Sequence, residues 1–343
     1  MLTPSFVRLR YWFYPIGNTP AVNLLRDATT SPAGASKILC LGSGDVRNIL
    51  FTLSTEPLRT DRMILFTTCD SEPAVLARNV FLLSYLLSDQ CKSDSIDKIT
   101  KMLWDMYCHI FVTNDVLSTM TQHLNTLLQA SESLEKWSTS PWGHALTFLS
   151  ADTLLEMRSY WHLYLHAPHD QNQGSRIRKE ITEIHRPHSS EDSHNLSGAR
   201  SGGFHGFDNF RVLSSTYRAY WKTGVVTGNE EDVSALQRED GGHLNPLLLV
   251  SSAPLKNFAM HYNTDPVFGY NVAAVFDKPT IDSTALEQLA KSVKTQFHEW
   301  CVAFIQHASA RAVQISFHCG DALSLCYALQ RRAGIPPNIP EHL

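Results

Sequence analysis

The stretch KILCLGSGDVRNILFTL, residues 37–53, decides the fold. Lys37 to Leu41 is a short apolar run of the kind that fills a buried strand. Gly42-Ser43-Gly44-Asp45 breaks it, and Val46 to Leu53 then carries apolar residues at helical spacing. A second unit repeats the pattern. Met63 to Thr68 is another apolar run, Cys69-Asp70-Ser71-Glu72 ends it, and Ala74 to Leu87 reads as a helix with Pro73 in the favoured first position. Strand, turn, helix, strand, helix predicts two parallel strands joined by a crossover.

Working outward, helices are expected over 95–166. One is capped by Asn114 or Asp115 and carries Leu117, Met120, Leu124, Leu127 and Leu128; another is capped by Asp152 and carries Leu154, Trp161 and Leu165. Phe207 to Thr223 reads as a helix and Leu247 to Val250 as a strand. The tract 169–206 is poor in apolar residues and rich in Ser, Gly, His and charge, so a mobile surface insertion is expected there. Asp282 is placed to cap a long helix over 284–308. Val313 to Phe317 is a third strand, rich in β-branched residues, and Ala322 to Arg331 reads as the helix after it. The expected architecture is α/β, with a core from 1–90 and 280–335 around a mostly helical insertion, 91–279.

Composition excludes several functions. The 343 residues are 43% hydrophobic and 18% charged, a globular balance. A net charge of −4 supplies no concentrated basic field, so nucleic acid is not an expected partner. The cysteines at 40, 69, 91, 108, 301, 319 and 326 form no CxxC pair, which leaves no zinc finger and suits reduced thiols in the cytoplasm. No run approaches the ~18 apolar residues of a membrane span, and residues 1–15 lack a signal-peptide pattern.

A strand that ends in Gly-x-Gly before a helix lets backbone N–H groups and the helix dipole meet a ligand. Gly42 and Gly44 permit that approach, with Ser43 between them. Asp70 or Glu72, after the second strand, is placed to accept hydrogen bonds from ribose hydroxyls. Asp321, after the third, could stand beside a base. An ordinary tight strand-to-helix turn explains the glycines equally well, since the third glycine of GxGxxG and the GK[ST] of a P-loop are missing. Asp45 could cap the first helix, and Arg47 could pair with Asp70 or Glu72. Leu41 stands where a GxSxG elbow needs glycine, which removes Ser43 as a nucleophile. His162 and His166 lie one helical turn apart, but no third ligand accompanies them and no metal is expected. No catalytic residue is identifiable.

At these residues a family resemblance emerges. YPIGNTPA at 14–21, ILCLGSGDVRNILFTL at 38–53 and CDSEPAVLARNVFLLSYLL at 69–87 closely resemble the fungal domain of unknown function that precedes MYND-type zinc fingers. They are also similar to the N-terminal domain of the axonemal dynein assembly factor 3 proteins. The resemblance implies a Rossmann-like sheet similar to class I S-adenosylmethionine methyltransferases. Gly42, Ser43, Gly44 and Asp45 would then face the methionine part of S-adenosylmethionine, Asp70 or Glu72 the ribose, and Asp321 the adenine. The MYND finger is absent. In the methyltransferase order 3-2-1-4-5 a fourth strand pairs beside strand one, and no candidate for it follows Arg331. Unless 247–275 replaces it, strand one should keep an open apolar edge, as expected of a truncated gene product, an unusual family member or a chain completed by a protein partner. The expected function is a non-catalytic or regulatory interaction protein that retains nucleoside binding; the alternative is an S-adenosylmethionine-dependent methyltransferase.

Overall fold

The computed structural model describes residues 15–17, 19–27, 34–89, 94–166, 207–226, 230–250, 257–258, 265–272 and 283–332, together with 175 and 179. The tract 169–206 thus lies almost wholly outside the described residues, as do Cys91 and His185, His188 and His194.

Strand β1 (Gly34–Leu41) leads through helix α1 (Arg47–Thr55) to β2 (Arg62–Asp70), and α2 (Pro73–Leu86) follows. Every residue of α2 after Pro73 is buried, as an all-round apolar helix requires. Three more helices come next: α3 (Ile96–Cys108), α4 (Asn114–Ala130) and the short α5 (Leu134–Ser138). Phe111–Val112 (β3) stands between the first two of them. Leu146–Phe148 (β4) then leads into α6 (Ala151–His166). After the gap come α7 (Phe207–Thr223), α8 (Glu230–Gln237) and β5 (His243–Leu244), which pairs with β3. Leu249–Val250 (β6) and Asn257–Phe258 (β7) pair antiparallel with each other. The long α9 (Ser283–Ser309), β8 (Val313–Cys319) and α10 (Ala322–Arg332) complete the order.

Four strands form the main sheet, in the order β1-β2-β8-β4, all parallel. Gly34 stands opposite Arg62, Ile64 opposite Val313 and Ile315 opposite Leu146. The step from β1 to β2 to β8 advances in one direction. Right-handed crossovers therefore stack α1 and α9 on the same face. Phe51 of α1 meets Trp300 of α9 with ring centroids 5.4 Å apart, and Tyr107 of α3 stacks on Phe297 of α9. Ile64, Phe66, Val313, Ile315, Phe317 and Leu146 point into this layer and are buried in one continuous core.

The opposite face is different. Leu39, Leu41 and Met63 are more than 40% exposed there, and Lys37 lies among them. Toward β4 that face turns polar, where Thr147 and Ser316 share a hydrogen bond of 2.9 Å. Parallel sheets are otherwise covered on both sides. Among the described residues β1 pairs only with β2, so its other edge is open. Among the described residues of 247–275 no strand pairs with β1: Leu249–Val250 pairs with Asn257–Phe258, and a 3-10 turn occupies Pro266–Gly269. Beyond β8, the three-residue β4 adds a strand that has no counterpart in the sequence reading.

Local signals shift by a residue or two. Thr113, not Asn114 or Asp115, caps α4, accepting from Val116 N–H. Ser150 caps α6, accepting from Thr153 N–H at 3.2 Å, and leaves Asp152 within the first turn. Of the expected strand at 247–250, Leu247 and Leu248 lie in a 3-10 turn, Pro246–Leu248, and Leu249–Val250 is the strand.

Candidate functional site

The carboxyl ends of β1, β2 and β8 meet through backbone contacts. Ser43 N–H donates to the Cys69 carbonyl at 3.0 Å, and Gly320 N–H donates to the Asp70 carbonyl at 2.9 Å. The sheet thus brings Gly42, Ser43, Gly44, Asp70, Glu72 and Asp321 to one edge, as their strands' shared direction requires.

Gly42 and Gly44 have φ of 60° and 58°, the left-handed region where L-residues are strained. Among the described residues a Cβ at either would meet nothing within 4 Å, so on that side the turn is open among them. Asp70 holds that turn: its carboxylate accepts from Gly44 N–H at 3.2 Å and from Glu72 N–H at 3.0 Å. Asn79 supports the same turn by donating to the Gly44 carbonyl at 2.7 Å. Glu72 caps α2 through Ala74 N–H and accepts from the Tyr160 hydroxyl at 3.2 Å, which brings α6 to the edge. Asp321 is exposed and caps α10 through Ser324 N–H at 2.7 Å. Ser43 Oγ is buried without a hydrogen-bond partner.

The electrostatics are one-sided. Burial pushes the carboxyls of Asp70 and Glu72 up, only partly offset by the backbone N–H groups they accept from. Among the described residues, no Lys or Arg forms an ion pair with Asp70, Glu72 or Asp321. Burial likewise raises the Cys319 thiol to about 11, aided by Glu156, Asp70 and Glu72, so it is no thiolate nucleophile at neutral pH. A site lined by carboxylates and thiols repels phosphate and suits a neutral or cationic ligand rich in hydroxyl and amino donors.

Asp45 departs from the expected cluster. Its carboxylate is 4% exposed and bonds Gly17 N–H at 2.6 Å and Arg47 Nε at 2.7 Å. Burial alone would raise it, but the Arg47 guanidinium and the Gly17 and Arg47 N–H groups outweigh burial and hold it below the usual carboxylate range. Arg47 therefore pairs with Asp45, and neither Asp70 nor Glu72 receives it. This pair fastens the segment around 15–25 across α1. A Cβ on Gly17 would lie 2.0 Å from Arg47 Nη2, so only glycine fits. Further along, Val22 N–H donates to Asn48 and Leu24 N–H to Thr52. Arg78 of α2, buried over the Tyr107 ring, donates to the Pro15 and Tyr107 carbonyls.

His162 and His166 stack on α6 with ring centroids 6.4 Å apart; the three-ligand cluster found among the described residues lies elsewhere, at Asp105, His109 and Asp232. No helix among the described residues is long and apolar enough to cross a membrane. Neither the comparison with curated proteins nor that with solved structures found a match. Residues 15–112, which carry the strap, the glycine turn, Asp70 and Glu72, match the family described as a domain of unknown function, DUF4470.

Proposed function

We propose that the protein is a nucleoside-binding interaction protein built on a methyltransferase-like half-sheet. The observation that carries this reading is the Gly42–Gly44 turn, in whose left-handed positions a Cβ meets nothing within 4 Å, with the Asp70 carboxylate bonded to it. S-adenosylmethionine and S-adenosylhomocysteine suit such an edge, because ribose and amino groups donate to carboxylates and the sulfonium is cationic. The interaction role is supported by the free edge of β1 and the exposed Leu39, Leu41 and Met63 beside it. These favour a polypeptide partner that adds a strand and covers the face. The resemblance of 14–87 to the domain before MYND-type fingers, and to assembly-factor domains, suits the same role. Methyl transfer would further need an acceptor held in line with the methyl group. Among the described residues, no strand beside β1 presents one.

The test is calorimetric titration of the folded chain with both ligands. Saturable binding is expected, lost in Gly44→Trp and in Ser71→Trp. The second variant alters an exposed residue next to Asp70 and leaves the strained turn intact. Absence of binding by a chain with native circular dichroism would refute the nucleoside reading.

A further inference from the structure

The last turn of helix α3 carries Asp105, and His109 caps that helix one turn on, its backbone N–H donating to the Asp105 carbonyl. The first turn of α8 places Asp232 beside them. All three residues are more than 90% buried, and one ligand atom from each lies within 4.8 Å of the others. They border a cavity of about 260 Å³ whose remaining wall includes Met102, Val112 and Leu236.

One carboxylate oxygen here lacks what burial demands: Asp105 Oδ1 is buried with no hydrogen-bond partner, on a residue more than 90% buried. A buried carboxylate oxygen without a donor costs free energy that a bound cation would recover. Asp105 Oδ1 and His109 Nδ1 are 3.6 Å apart, near the ~3.4 Å edge of a tetrahedron with ~2.1 Å metal–ligand bonds.

The other carboxylate oxygens are held by lysines. Lys101 Nζ lies 3.1 Å from Asp105 Oδ2 and 3.3 Å from Asp232 Oδ1, and Lys294 Nζ lies 3.2 Å from Asp232 Oδ2. The Lys101 side chain is 54% exposed, so it can swing into water at little cost while both carboxylates stay buried.

We infer that Asp105, His109 and Asp232 form a site for a first-row divalent cation, and that the Lys101 ammonium holds the cation's place between the two carboxylates when the metal is absent. Two carboxylate oxygens and one imidazole nitrogen suit zinc or manganese, with water from the cavity completing the coordination. This site is separate from the glycine turn and does not depend on the nucleoside reading.

The chelator-treated full chain should be titrated with Mn²⁺, followed by electron paramagnetic resonance, and with Zn²⁺ by calorimetry. One equivalent is expected to bind. His109→Gln and Asp105→Asn should weaken it by about tenfold or more, and Lys101→Met should tighten it by removing the competing ammonium. Lys101→Met alters a half-exposed residue and keeps the test open should a buried variant fail to fold. The inference is overturned if neither the natural chain nor Lys101→Met binds one equivalent. It is overturned equally if binding survives His109→Gln unchanged, which would mark surface ions only.

Discussion

The two faces of the central sheet share the same four strands but meet opposite surroundings. On one, Ile64, Phe66, Ile315 and Phe317 lie under α1, α2 and α9 and are sealed from water. On the other, Leu39, Leu41 and Met63 are exposed, and among the described residues β1 pairs on one edge alone. Direction explains the difference. Connections that always advance from β1 toward β8 deposit their helices on one side, and only a chain that turned back past β1 would cover the other. Helix α10, which follows β8 and packs against β2, starts that return. Among the described residues no helix covers β1 on that face.

Phe66→Ala should break the covered face with the largest effect, about 3–5 kcal/mol in chemical denaturation, because it opens a cavity in a sealed core. Asp45→Ala should cost a similar amount, since it leaves Arg47 charged, buried and unpaired, and it should free the strap to proteolysis. Met63→Ala on the bare face should cost less than about 1 kcal/mol by the same measurement. A cost equal to that of Phe66→Ala would mean that the face is covered in the native protein.

Asp265 sharpens the contrast through pH. It is buried in the helical layer, where burial raises its carboxyl to about 7 despite hydrogen bonds from Val267 N–H and the Thr216 hydroxyl. The folded state therefore keeps a proton that the unfolded state loses. Stability from this group is fully present below the ordinary carboxylate range and is lost as pH rises toward about 7. Denaturation midpoints should fall over that window, and Asp265→Asn should flatten the fall.

The smallest effect on folding is expected at the edge itself. Replacing Leu39 and Leu41 by Asp should change stability within about 1 kcal/mol while lowering concentration-dependent self-association in sedimentation velocity. Unchanged association would remove β1 as a sticky edge.

How much of this was legible depends on locality. The runs at 37–41 and 63–68, the glycines between strand and helix, and Pro73 announce two strand–turn–helix units because each signal acts within a few residues. The third strand was legible for the same reason. Leu146–Phe148 was not, because three residues carry no periodicity and are recruited by the edge of β8. Within the candidate site, the convergence of Gly44, Asp70 and Gly320 followed from parallel strands. The bond from Arg47 N–H to Asp45 at 3.2 Å is the local capping contact that the sequence offered, but the bond from Gly17 N–H is not legible, since a tertiary strap assigns it. Asp105 and His109 carry an i, i+4 signal within α3 and its cap, but Asp232 is more than 120 residues away and joins them only in space.

The most direct test of the central claim is hydrogen–deuterium exchange of the full chain with and without saturating S-adenosylhomocysteine. The account predicts slowed exchange confined to peptides containing Gly42–Asp45, Asp70–Glu72 and Gly320–Asp321, the three strand ends that meet at one edge. Protection centred elsewhere, such as around His109, or no protection at all at saturating ligand, would contradict it.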